Sequence, residues 1–491
     1  MEVIKAVLAL LLCLLLPLIA SAQSRVDQCL TCHETLGDKP SGLFKHDIHF
    51  QKGISCAGCH GGDALAEEME QAMATEKGFI GVPKGDDISK ACARCHSNAT
   101  IMVKQFNSIL PRSQLEMLSA SVHGKLTTTG KERIAECTTC HNAHGIVSTK
   151  DPSSPVYPLN VTKTCAKCHA DPAFMRTYNP ALPVDQLEKY HTSVHGIRNA
   201  QGDAKVAACA SCHGSHEIRP AADVKSKVYA ANLPTTCGAC HANPKYMKGY
   251  KIPTDQVKKF STSVHGKALL EKHDLGAPAC NDCHGNHGAA PPNVESISKV
   301  CGTCHALNAA LFVSSPHKKA FDSRRLPECE TCHGYHEIVA ATDELLGVSS
   351  DAVCSQCHRE KQNAKGYIVA KVMRELIDSL ESSEQYADSL VIDAEQKGME
   401  VSEARFKLRD ARQARLESRT MVHAFDVEKF REVIGKGLAV SSLVAGEGRQ
   451  AIDEYFFRRW GLGVATLIIT IVAASLYVTI RRIEKEQERR K

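Results

Sequence analysis

Cys137-Thr138-Thr139-Cys140-His141-Asn142-Ala143-His144 is the stretch on which the reading of this chain turns. Its first five residues form the pattern Cys-x-x-Cys-His. That pattern recurs with first cysteines at Cys29, Cys56, Cys92, Cys137, Cys165, Cys209, Cys237, Cys280, Cys301, Cys329 and Cys354. The second cysteines are Cys32, Cys59, Cys95, Cys140, Cys168, Cys212, Cys240, Cys283, Cys304, Cys332 and Cys357. The histidines that follow are His33, His60, His96, His141, His169, His213, His241, His284, His305, His333 and His358. Together the copies use all but one of the 23 cysteines. Two thiols followed at once by an imidazole suit covalent attachment of c-type haem, with thioether bonds to the porphyrin and the histidine beneath the iron. Eleven copies predict eleven haems.

Paired Cys-x-x-Cys also builds zinc ribbons and redox-active disulfides. Neither chemistry needs the histidine. A zinc site takes four ligands and gives no reason for His directly after every second thiolate, and a redox dithiol occurs once per domain. The remaining cysteine, Cys13, lies in a segment read as removed on export.

A larger unit repeats around the motif. Asp185-Gln186-Leu187 to Ser193-Val194-His195-Gly196 is echoed by Asp255-Gln256-Val257 to Ser263-Val264-His265-Gly266, and more loosely by Ser113-Gln114-Leu115 to Ser121-Val122-His123-Gly124. Each unit carries a lone His, a Cys-x-x-Cys-His followed by x-x-His, and a second Cys-x-x-Cys-His. The lone histidines are His123, His195, His265 and His317, and the x-x-His positions are His144, His216, His287 and His336. A low-spin electron-transfer haem needs a second axial ligand, and each unit supplies two for its two haems. Upstream, His46 and His49 are the local candidates. His191, His273 and His423 remain, and of these His423 is the expected eleventh distal ligand. The slot of His191 is filled by Ser119 and Ser261 in the sister units, which points to a surface residue or a haem-propionate contact.

Residues 1–22 have a basic start at Lys5, an apolar run and Ala20-Ser21-Ala22, the pattern of a cleaved signal peptide. Gly461 to Ile480 contains no charge and matches the length of a membrane-crossing helix. Tyr455, Phe456, Phe457 and Trp460 crowd one end of it and Arg481, Arg482 and Lys485 the other, as interfacial belts and a cytoplasmic tail would. Because haem is attached outside the energy-transducing membrane, the haem region is expected in the periplasm, on a single span through the cytoplasmic membrane. Between the last motif and that span the chain is rich in Glu, Arg, Ala, Lys and Leu. Met373, Leu376, Leu380, Ala387 and Leu390 form an apolar seam and Gly398 a break, which predicts a long helical hairpin.

The formal net charge is +5, but each oxidised bis-histidine haem adds about −1, so eleven bring the holoprotein to roughly −6. Nucleic-acid binding has no support. Aromatic residues make up 5% of the chain, so the porphyrins must supply much of the apolar core.

The doubled Cys-x-x-Cys-His-x-x-His units resemble those of multihaem cytochromes c that act as electron conduits in anaerobic respiration, over about Cys29 to His358. The resemblance implies closely packed bis-histidine haems, alternately stacked and angled. These would carry electrons from quinol, or from a membrane partner that oxidises it, toward periplasmic or extracellular redox partners. Its C-terminal anchor differs from the usual N-terminal anchor of quinol-dehydrogenase cytochromes. A terminal reductase with one five-coordinate catalytic haem is the alternative, against which no Cys-x-x-Cys-Lys variant is present. A subunit of a membrane complex or a homo-oligomer is a further arrangement. The expected fold is mainly α with extensive coil and little β. Its expected parts are a signal peptide (1–22), a three-haem region (23–115), repeated two-haem units (116–360), a helical hairpin (361–457), a transmembrane helix (458–481) and a tail (482–491).

Overall fold

The computed structural model describes residues 27–125, 134–292 and 297–490. The expected signal peptide and Cys13 lie outside the described residues. Two compact units are formed, from Met1–Thr254 with Pro278–Ala290 and from Asp255–Ala277 with Pro291–Lys491. Among the described residues there is no strand, and the fold is mainly α with long coil connections.

Through the motif-bearing region the helices are at most eleven residues long, because the local chemistry both starts and stops them. Cys137–His141, Cys209–His213 and Cys280–His284 each form one short helix. Side chains three residues in (Thr139, Ser211 and Asp282) accept the N–H of the capping residue at 3.0, 3.1 and 2.7 Å. The next residues, Asn142, Gly214 and Gly285, then take left-handed φ of 67°, 85° and 84°, which ends the helix. One helical turn is what the motif requires, since it puts both sulfurs and the imidazole on one face.

The lone histidine of each unit is positioned by a buried serine. Ser193 and Ser263 cap helices Val194–Ala200 and Val264–Leu270, accepting the N–H of Gly196 and Gly266 at 2.8 and 2.9 Å. The glycine after the histidine is required by packing. A Cβ at Gly196 would lie 1.9 Å from the Tyr190 carbonyl oxygen, and Gly124 and Gly266 meet the same obstacle at 1.8 Å. Consecutive repeats are then tied together by one backbone bond. The N–H groups of Val122, Val194 and Val264 donate to the carbonyls of Ile218, Ala289 and Ile338 at 2.9, 3.1 and 2.9 Å, each two residues past the x-x-His of the next repeat.

Buried apolar residues in the motif region are scattered, as with Phe44, Met175 and Leu269. Contiguous apolar clusters occur instead in the C-terminal helices Ala364–Gln396, Ser402–Met421 and Val427–Arg490. The expected hairpin is present, turning at Gly398 with φ 77°, and it gains a third member. The first part of the 64-residue final helix packs Phe430, Ile434 and Val444 against Ile377, Leu380 and Val391. Burial of each such side chain contributes on the order of 1.5–3 kcal/mol before chain ordering is charged against it. Gly448 allows the close crossing, because a Cβ there would come within 2.9 Å of Leu390 Cβ. Arg419 grips Asp343 through Nε and Nη2 at 2.8 and 3.1 Å, pinning the 343–345 turn to the bundle. Beyond Tyr455 the final helix is exposed, and it is long and apolar enough to cross a membrane.

Candidate haem-binding sites

Histidines far apart in sequence are brought together in twos. His60 faces His144 at 6.1 Å between ring centroids, His141 faces His216 at 6.2 Å, His213 faces His287 at 6.1 Å and His333 faces His423 at 6.0 Å. A second set joins His49 with His96 (6.0 Å), His123 with His169 (5.9 Å), His195 with His241 (6.0 Å), His265 with His305 (6.2 Å) and His317 with His358 (5.7 Å). An iron with an imidazole nitrogen about 2 Å away on either side places the two centroids roughly 6 Å apart. The donor sets therefore fit haem iron between two histidines, each pair including one motif histidine beside its two cysteines. Among the described residues no group of three or more His, Cys, Asp or Glu side chains gathers as a protein-only metal site would need.

The two sets follow different rules. In the first set, His141 and His213, each of which precedes an x-x-His, are met by the x-x-His of the following repeat, whereas His60, with no x-x-His after it, is met by His144 and His333 is met by His423. The motif histidine closing a unit is met by the lone histidine of its own unit. Ring planes differ as well, being 8–22° apart in the first set and 64–88° in the second, with His265 and His305 at 32°.

Hydrogen bonds at Nδ1 leave Nε2 as the free donor. His60 Nδ1–H donates to the Gly81 carbonyl at 2.7 Å, His423 to Thr420 at 2.9 Å and His284 to Ala290 at 3.1 Å. His49 Nδ1 lies 2.8 Å from Asp47 Oδ1 and His33 Nδ1 is bonded to Asp38. Burial pushes the imidazoles of His123, His195 and His213 toward the neutral form that can ligate a metal. His317 is pushed down to about 4 by burial, with the charge of His358 adding to it.

Thiols of successive motifs also meet. Cys92 lies beside Cys137, Cys165 beside Cys209, Cys237 beside Cys280 and Cys301 beside Cys329. Between these contacts, Cys59 interacts with Cys95, Cys140 with Cys168, Cys212 with Cys237 and Cys332 with Cys354. Motifs adjacent in sequence are thus adjacent in space from the Cys56 motif to the Cys280 motif and from the Cys301 motif to the Cys354 motif.

His46 sits on an exposed turn, and His336 lies edge-on to Tyr335. His191, beside Tyr190, and His273, in a left-handed turn, are both exposed. Two functional neighbours were missed in the sequence. Asp47 caps helix Ile48–Gln51 as the serines cap the sister helices, so Asp47-Ile48-His49 is a disguised first copy of Ser-Val-His. Ile48 N–H accordingly donates to the Ile146 carbonyl at 2.7 Å, as the sister valines do. Phe425 lies against His317 with centroids 3.7 Å apart. Its position two residues after His423 was the available signal.

Residues 48–170 match the family model for cytochrome c3. Over 300 residues the chain is 23% identical to a C-type polyheme cytochrome, OmcC, of Geobacter sulfurreducens, an alignment covering 52% of this chain and 36% of that protein. The chain thus spans about a third of the length of that curated relative. No solved structure matches. Motif, paired histidines and these similarities together define a multihaem c-type cytochrome, an electron-transfer protein with covalently bound haem c. It resembles the Geobacter protein in class and carries, in addition to its haem motifs, one candidate membrane span among the described residues.

Proposed function

We propose that this chain is an undecahaem cytochrome, anchored in the cytoplasmic membrane by residues 458–481 with its haem region in the periplasm. It carries electrons between the quinone pool or a membrane partner and a periplasmic or extracellular acceptor. Each bound haem supplies one ferric/ferrous couple. The cysteines hold the macrocycles, His33 to His358 of the motifs supply proximal nitrogens, and the distal nitrogens come from the partners described above, with His46 and His336 completing the set. The observation that carries this reading is the two-by-two opposition of histidines at about 6 Å, because it leaves both axial positions filled by protein. Cysteine proximities between successive motifs support an order of transfer that follows the sequence from the Cys56 motif to the Cys280 motif and from the Cys301 motif to the Cys354 motif.

Haem content per chain by alkaline pyridine spectra, with carbon monoxide binding to the reduced, detergent-solubilised protein, tests it. Eleven haems without gas binding agree with the proposal. A haem that binds carbon monoxide in the native protein would favour a reductase instead.

A further inference from the structure

Asp47 occupies the slot held by Ser121, Ser193, Ser263 and Ser315 in the other copies of the capped turn. Serine suffices to cap, so capping alone does not call for a carboxylate. Asp47 is 1% exposed. Its Oδ1 accepts both the backbone N–H of His49 and the ring Nδ1–H of His49 at 2.8 Å, and its Oδ2 accepts the Ile146 N–H at 2.7 Å. Among the described residues no lysine or arginine pairs with it, so its negative charge is directed into the imidazole. The Nδ1 partners of His60, His284 and His423 are neutral carbonyls. Asp38 also holds a ligand candidate, His33, but it is 32% exposed and solvent screens it.

We infer that Asp47 is a tuning residue that makes the site formed by His49 and His96 a low-potential step of the electron path. The inference rests on the ligand reading proposed above. A buried carboxylate on Nδ1–H draws the proton toward itself and leaves Nε2 a stronger donor, which favours the ferric over the ferrous state. The charge itself opposes addition of an electron nearby.

The test is a spectroelectrochemical titration, with EPR of the oxidised form, of the full-length holoprotein and three variants. Asp47→Ser installs the residue of the sister repeats and Asp47→Asn keeps the shape, so both retain a helix cap. In each, one component of the titration should move to more positive potential while the others stay. Ser121→Asp should move one other component to more negative potential. Titrations unmoved in all three variants overturn the inference. His49→Met separates this from failure of the ligand reading. If it changes one low-spin signal while the Asp47 variants change no potential, only the tuning role falls; if it changes none, the ligand reading falls and takes the inference with it.

Discussion

The imidazole of His423 lies face to face with that of His333, 6.0 Å between centroids and 22° from parallel, although 90 residues separate them. His423 stands in the Val422–Ala424 turn between two bundle helices. The helical region therefore brings a histidine of its own against a motif histidine.

His423→Ala should leave one iron open on its distal side. One high-spin ferric signal and carbon monoxide binding equal to one haem per chain are expected, with the bundle still folded because residue 423 lies outside both apolar clusters. Retention of a fully low-spin spectrum would remove His423 from the ligand set.

The ring planes divide the sites into near-parallel and crossed classes. Crossed imidazoles leave the iron π orbitals close in energy and parallel ones split them, so axial-ligand orientation is read out in the ferric spectrum. Low-temperature EPR should show two families of low-spin signals, one markedly more anisotropic. A single homogeneous family would contradict the alternation.

Gly196→Ala puts a methyl group 1.9 Å from the Tyr190 oxygen. The backbone must shift, at a cost of about 1–3 kcal/mol, and His195 shifts with it. Thermal unfolding should start earlier, and the Cys237 site, whose His241 faces His195, should be the first to lose its low-spin signal.

Two buried glutamates should respond to pH with opposite sign. Burial alone would raise the carboxyl of Glu328, but Ser298 N–H at 2.7 Å and Lys318 at 3.0 Å hold it below the usual range. Its stabilisation is present above the unfolded value near 4.5 and is lost as pH falls through the lower folded value. Glu328→Gln should remove about 1–3 kcal/mol at neutral pH and progressively less under acid. For Glu384 burial raises the carboxyl and outweighs Arg415 and Arg412. Ionisation there costs stability as pH rises through the unfolded value, so Glu384→Gln should be at least as stable as the parent at neutral pH. Chemical denaturation followed by circular dichroism across the acid range checks both signs.

Much of this was legible because covalent chemistry writes itself into spacing. Cys-x-x-Cys-His marks each candidate attachment point, and nine of the eleven spare histidines expected as ligands are found opposite motif histidines. Which histidines meet was not legible, since the partner of His141 lies in the next repeat, placed by the Val122 to Ile218 backbone bond. The first repeat escaped notice because Asp47 caps as well as serine does, so a different letter performs the same local task. The apolar seam from Met373 to Leu390 gave the hairpin. The third bundle helix was hidden because Phe430, Ile434 and Val444 run straight on into a stretch read only for its membrane character.

The final helix runs unbroken from Val427 to Arg490. At about 1.5 Å per residue, Val427 stands roughly 50 Å from Gly461, where the uncharged stretch begins. With that stretch in the bilayer, the helix acts as a mast. It holds the His333–His423 and His317–His358 sites several tunnelling steps above the lipid, beyond the reach of quinol dissolved there. Electrons passing between the membrane and these two sites must then cross that distance through further redox centres.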